Sequence, residues 1–129
     1  MQRLAREIRT AENTIVQAEK MASYAKLYRG EKWPMDSIDE AWRTLMLSQH
    51  HDCWIVPYNR LNGGKTWAET VTDWTRNTNQ KSQRVIDQSL KLMAGQRRGN
   101  KIRVFNTLAV EREEPVSVEV PSSWKGKDG

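Results

Sequence analysis

Residues 4–25, LAREIRTAENTIVQAEKMASYA, decide the fold. Leu4, Ile8, Ala11, Ile15, Ala18, Ala22 and Ala25 recur at alternating spacings of four and three, drawing one apolar stripe along a helix with charged residues on its other faces. The stripe predicts a helix from about Gln2 to Tyr28, stopped by Gly30, with Pro34 barring helix until the chain has turned. Its alanines permit close packing against a second helix.

Two further helices follow from the same reasoning. Ser37-Ile38-Asp39-Glu40 has the pattern of a capping box, placing a helix start at Ser37. Ile38, Trp42 and Leu45 then form a stripe that Met46 and Leu47 widen into a nearly all-round apolar segment, as expected of a helix sandwiched between other elements. Continued to its end, this helix puts His51 on one face with Thr44, Leu47 and Ser48. Thr66-Trp67-Ala68-Glu69 is a second capping box, opening a long helix that carries Trp67, Val71, Trp74, Thr78, Val85 and Leu92 and runs to about Ala94, with Gly95 as its stop. Its middle, Arg76 to Gln83, is polar for a core helix and is expected to protrude or to face a polar domain surface.

After Gly99 the periodicity changes to two. Ile102 and Val104, then Val116, Val118 and Val120, predict two strands linked by the polar run Glu111 to Pro115. A lone two-stranded ribbon is marginal in water, so it should lie on the helices or pair with strands from elsewhere. The expected fold is therefore mainly α: a three-helix bundle over residues 1–98, followed by a short two-stranded β segment over residues 99–129.

The bulk numbers agree with a folded helical domain. The chain has 129 residues, 37% of them hydrophobic and 29% charged, with a formal net charge of +5. Its mean hydropathy of −0.82 suits long polar faces. No run approaches the roughly 18 apolar residues of a membrane span, so no membrane partner is expected, and Met1 to Thr10 is charged and amphipathic rather than a signal peptide. The densest basic stretch, Arg97 to Arg103, can meet phosphates but reads as a solvated helix end; acids and bases interleave elsewhere, and no nucleic-acid partner is expected. Cys53, the single cysteine, excludes an internal disulfide and reads as a small packed residue.

Chemistry concentrates in Gln49-His50-His51-Asp52, which holds both histidines of the chain. Zinc normally takes four ligands from several parts of a fold, and adjacent helical residues point about 100° apart, so a continuous helix allows at most one of the two imidazoles to face an ion. Asp52 can coordinate, orient an imidazole, or accept hydrogen bonds from substrate hydroxyls. The competing structural reading is a helix C-terminus whose dipole the imidazolium complements. In the following loop, marked by Pro57 and Asn62-Gly63-Gly64, Trp54 and Tyr58 can stack on a sugar ring while Asn59 and Arg60 bond its hydroxyls. Equally, both aromatics can anchor the loop on the bundle.

The run from Ala41 to Asp52, AWRTLMLSQHHD, resembles the stretch entering the central helical domain of glycoside hydrolase family 38, the zinc-dependent α-mannosidases. Farther on, Ile102 to Leu108, then Glu111-Arg112 and the alternating Val116, Val118 and Val120, resemble that family's entry into its C-terminal β-sandwich region. The resemblance implies that His51 is a zinc ligand and that Asp52 is a carboxylate touching the metal or the sugar hydroxyls, with His50 a flanking residue. It implies zinc as cofactor and a mannose-containing carbohydrate as substrate.

It also implies that the other zinc ligands, in a His-x-Asp motif, and the nucleophilic Asp belong to an N-terminal catalytic domain. Both histidines here lie in one tetrapeptide, leaving none for a second cluster. A retaining glycosidase needs two carboxyl groups about 5 Å apart, and Asp52 supplies one. The expectation is a piece of an α-mannosidase, with no catalytic residue of its own and inactive alone, whose partners are the N-terminal catalytic domain and the C-terminal β domain. The alternative is a non-catalytic helical module that binds a protein through a Trp-rich surface.

Overall fold

The computed structural model describes residues 2–60, 62–95 and 101–122. Among the described residues four helices follow in order: α1 (Gln2–Arg29), α2 (Met35–Ser48), the single turn α3 (Asp52–Ile55) and α4 (Trp67–Ala94). The three long ones pack as a bundle. Thr72 donates to Glu7 (3.0 Å) near the start of α1 and α4, and Arg29 reaches the Met93 carbonyl (3.5 Å) near their ends, so these helices run parallel. Trp42 Nε1 donates to Glu19 (2.9 Å) and Gln49 Nε2 to Glu12 (2.7 Å), so α2 runs back between them.

The predicted stripe of α1 is the core. Leu4, Ile8, Ala11, Ile15, Ala18, Ala22 and Ala25 are all buried, joined by Met21. The end of the bundle nearest α3 gathers Leu4, Ile8, Ala11 and Ile15 around Ala41, Leu45, Cys53 and Val71; the other end gathers Ala18 and Ala22 with Ile38 and Val85. Full burial of a side chain such as Ile15 stabilises by roughly 2–3 kcal/mol. Gly30 (φ 67°) and Gly95 (φ 63°) stop α1 and α4 in the left-handed region, where a Cβ is strained. The capping box at α4 is formed: the Glu69 N–H donates to Thr66 Oγ1 (3.2 Å) and the Thr66 N–H to Glu69 Oε2 (2.8 Å).

Several expectations are corrected. Helix α2 starts at Met35 behind Pro34, not at Ser37, and has no side-chain cap. Glu40 is drawn across to α4 instead, accepting from Lys81 (2.6 Å) and Asn77 (3.1 Å). Nor is α2 apolar all round, since Met46 and Leu47 are exposed and only one face is buried. The polar middle of α4 does not protrude. Thr75, Thr78 and Ser82 are buried because each hydroxyl is short enough for the helices to approach; Thr75 donates to its own helix at the Val71 carbonyl (3.0 Å). Thr78 Oγ1 lies 2.8 Å from Thr44 Oγ1 and 3.1 Å from the Ala41 carbonyl, tying α4 to α2.

Among the described residues, 101–122 form no strand, contrary to the two expected. Ile102, Val104, Val116, Val118 and Val120 lie 40–65% exposed. Without a partner edge, alternating apolar residues have no ladder to join. The segment is held to the bundle by Arg103, which donates to the Met93 (3.4 Å) and Ala94 carbonyls at the end of α4. The 98/99 domain boundary, Arg97 and Arg98 of the basic stretch, and most of the polar tail lie outside the described residues. No described helix is long and apolar enough to cross a membrane.

Candidate metal and ligand site

The His-His-Asp turn owes its shape to an interruption of the helix. Helix α2 ends at Ser48, and Gln49 and His50 close its last turn by donating to the Met46 and Leu47 carbonyls (3.1 and 3.2 Å). The next turn begins at Asp52. His51 is therefore neither on the Thr44–Leu47–Ser48 face nor among core residues, as a continuous helix would have put it. Its side chain is 71% exposed.

Unwinding removes the angular obstacle between neighbouring imidazoles. The rings of His50 and His51 lie with centroids 4.4 Å apart, and one donor atom from each, with a carboxylate oxygen of Asp52, falls within a 4.8 Å span. His51 Nε2 is 3.2 Å from Asp52 Oδ1, and His50 Nδ1 is 3.6 Å from Asp52 Oδ2. His50 Nδ1 also accepts the backbone N–H of Asp52 (3.3 Å). Imidazole nitrogen and carboxylate oxygen are donors that zinc accepts, so the residues fit part of a zinc shell; one turn supplies fewer than the usual four ligands.

The bundle fixes this turn from below. Gln49 is tied to Glu12 of α1. Cys53, fully buried, packs into the core with its thiol pointing to the Leu47 carbonyl (3.9 Å), and burial raises its pKa. A high thiol pKa in an apolar setting marks a packed cysteine rather than a reactive one. Trp67, first residue of α4, stacks behind His50 with centroids 6.3 Å apart and planes 21° apart. Nothing in the local sequence announces that contact, although the capping box fixes where Trp67 stands on α4.

The loop residues divide. The Trp54 ring packs against the core, anchoring the loop, whereas Tyr58 is 79% exposed. Asn59 uses its carbonyl to accept from the Trp67 N–H (3.1 Å), and Arg60 closes the loop by donating to the Gly64 carbonyl (2.9 Å). His50, His51 and Asp52 are thus brought together, while the Asn59 carbonyl and the Arg60 side chain make their bonds to the start of α4 and within the loop rather than toward the turn. Buried Pro57 completes the anchorage, its carbonyl accepting from Ala68 (2.9 Å).

A cleft of 460 Å³ lies elsewhere, between α1, α4 and the extended segment, lined in part by Met21, Leu90, Phe105 and Val118. It includes none of the turn residues. No protein-family model, curated protein or solved structure matches this chain.

Proposed function

We propose that this chain is the central helical part of a zinc-dependent α-mannosidase of the family 38 type, presenting His51 as a metal ligand and Asp52 as a metal- or sugar-binding carboxylate to a site completed by another domain. The observation that carries the reading is the close pair His51 Nε2 and Asp52 Oδ1, 3.2 Å apart on an exposed turn that the bundle anchors through Cys53 and Gln49. The sequence resemblance at residues 41–52 supports it. His51 and Asp52 would hold the zinc, which when bound grips sugar oxygens and favours ring distortion. Asp52 would orient the sugar through its hydroxyls, and exposed Tyr58 offers a face for stacking. One carboxylate is half of what a retaining glycosidase needs, so the chain alone is expected to leave an aryl α-mannoside unhydrolysed.

The alternative, a helical protein-interaction module, draws on a different surface. The Trp-rich face expected for it is largely engaged, because Trp33, Trp42, Trp54, Trp67 and Trp74 pack against the core. Exposed Met46, Leu47, Ile55 and Tyr58 favour it instead. Zinc calorimetry separates the two readings, run on this chain and on a longer protein that includes the N-terminal domain, each beside its His51→Ala variant. Tight binding in the longer protein that the substitution abolishes, with weak or no binding here, supports the shared site. Equal binding by the variant in the longer protein, or upstream coding sequence without a His-x-Asp motif, favours the interaction module.

A further inference from the structure

We propose that His50 is a positioning residue: its Nδ1 holds the Asp52 peptide N–H and leaves His51 and Asp52 as the donors of the turn. The backbone arithmetic is specific. At the start of α3 the N–H groups of Cys53, Trp54 and Ile55 donate to the His50 or His51 carbonyls (3.0–3.1 Å). The Asp52 N–H donates to His50 Nδ1 (3.3 Å). A side-chain acceptor bonding the backbone two residues on is the geometry of an Asx-turn, in which Asn or Asp supplies an oxygen at the same remove from Cβ as imidazole Nδ1.

Two consequences follow from the ring chemistry. An Nδ1 that accepts a hydrogen bond gives its lone pair to that bond, so the ring's N–H is the one on Nε2. The same lone pair is not then free for a metal. The stack on Trp67 holds the imidazole in this orientation, and Trp67 is itself fixed by its N–H bond to the Asn59 carbonyl and by the adjoining cap. The three-donor cluster thereby resolves into a pair that presents and a residue that braces. This assignment rests on the proposed zinc reading for the use of the pair, but not for the bond within the turn.

The test is nitrogen NMR of the intact chain with His50→Asn and His50→Ala variants, followed by titration with zinc chloride. Imidazole spectra of the wild type should show His50 as the Nε2–H tautomer. Exchange of the Asp52 amide should accelerate about fivefold in His50→Ala, the fold-change of a typical net hydrogen bond, and return to the wild-type rate in His50→Asn. Zinc should then shift the ring nitrogens of His51 and not those of His50. An Nδ1–H tautomer in the wild type, unchanged Asp52 exchange in His50→Ala, or zinc on His50 overturns the inference. If tautomer and exchange hold while zinc shifts neither ring, the bracing role stands and it is the zinc reading that fails.

Discussion

Replacing Thr78 by valine removes one buried hydroxyl at constant shape and nearly constant helix propensity, which isolates the tie between α4 and α2. Thr78 is fully buried; its hydroxyl lies 2.8 Å from Thr44 Oγ1, which has the Glu40 and Ala41 carbonyls of its own helix at 3.1 and 3.2 Å. Losing one partner leaves the other buried with reduced hydrogen bonding, so Thr78→Val and Thr44→Val should each cost about 1–1.5 kcal/mol. Replacing both removes two polar groups together and leaves no orphan, so the double variant should cost about 1 kcal/mol, less than the sum by about another 1–2. The assay is urea unfolding of the whole chain at pH 7. With a slope of roughly 1.5 kcal/mol/M, each single change moves the midpoint by roughly 0.7–1 M. Single variants within about 0.5 kcal/mol of wild type that add in the double would place these hydroxyls in water and refute the packing argument.

Acid should destabilise the fold through three carboxylates held below their ordinary values: Glu40 by Lys81 and then Asn77, Glu69 by the Thr66 N–H and hydroxyl, and Asp73 by Lys65. Each folded-state pKa is lowered, so the unfolded chain binds more protons; the contribution is complete above the unfolded values near about 4 and is lost as pH falls through the folded ones. Urea midpoints should fall between about pH 5 and 2, less steeply in Glu40→Gln, and a flat or rising profile would count against these contacts. The Cys53 thiol, buried and raised in pKa, should react with a thiol reagent at pH 8 only as fast as the chain opens. Reaction at the rate of a free thiol without denaturant would show that α3 does not hold it.

The helices were legible where a periodic stripe met a stop. The α1 stripe and Gly30, and the Thr66–Glu69 box and Gly95, fall where local chemistry puts them. Reading failed where a tertiary partner outweighed a local signal. Ser37 and Glu40 have capping-box spacing, but two partners on α4 hold the Glu40 carboxylate. Thr75, Thr78 and Ser82 look solvent-facing by residue type, yet the Thr75 and Thr78 hydroxyls return their hydrogen bonds to backbone or to Thr44, and Ser82 is small enough to be buried at the close helix interface with its hydroxyl unpartnered. Strand periodicity at 102–120 reports the two faces of a strand and nothing about a partner edge.

The histidine turn belongs to the second kind of failure, and its cause explains the site. A helix continued past Ser48 would have separated His50 from His51 by about 100° and carried them onto different faces. The chain instead breaks there while Ser48 and Cys53, on either side, stay buried. Two buried ends five residues apart fix the path between them, so the intervening residues must arch outward. Outward arching exposes both imidazoles, and the Gln49–Glu12 bond and the Trp67 stack tie the arch to α1 and α4. On the proposed zinc reading, this restraint is what would keep the exposed His51 and Asp52 side chains together as a donor pair. The same logic makes Cys53 the residue to perturb without touching a donor: Cys53→Leu overpacks the core it shares with α1 and α4, so it should lower the urea midpoint and accelerate exchange of the Trp54 and Ile55 amides, and unchanged exchange would show that Cys53 does not hold the arch.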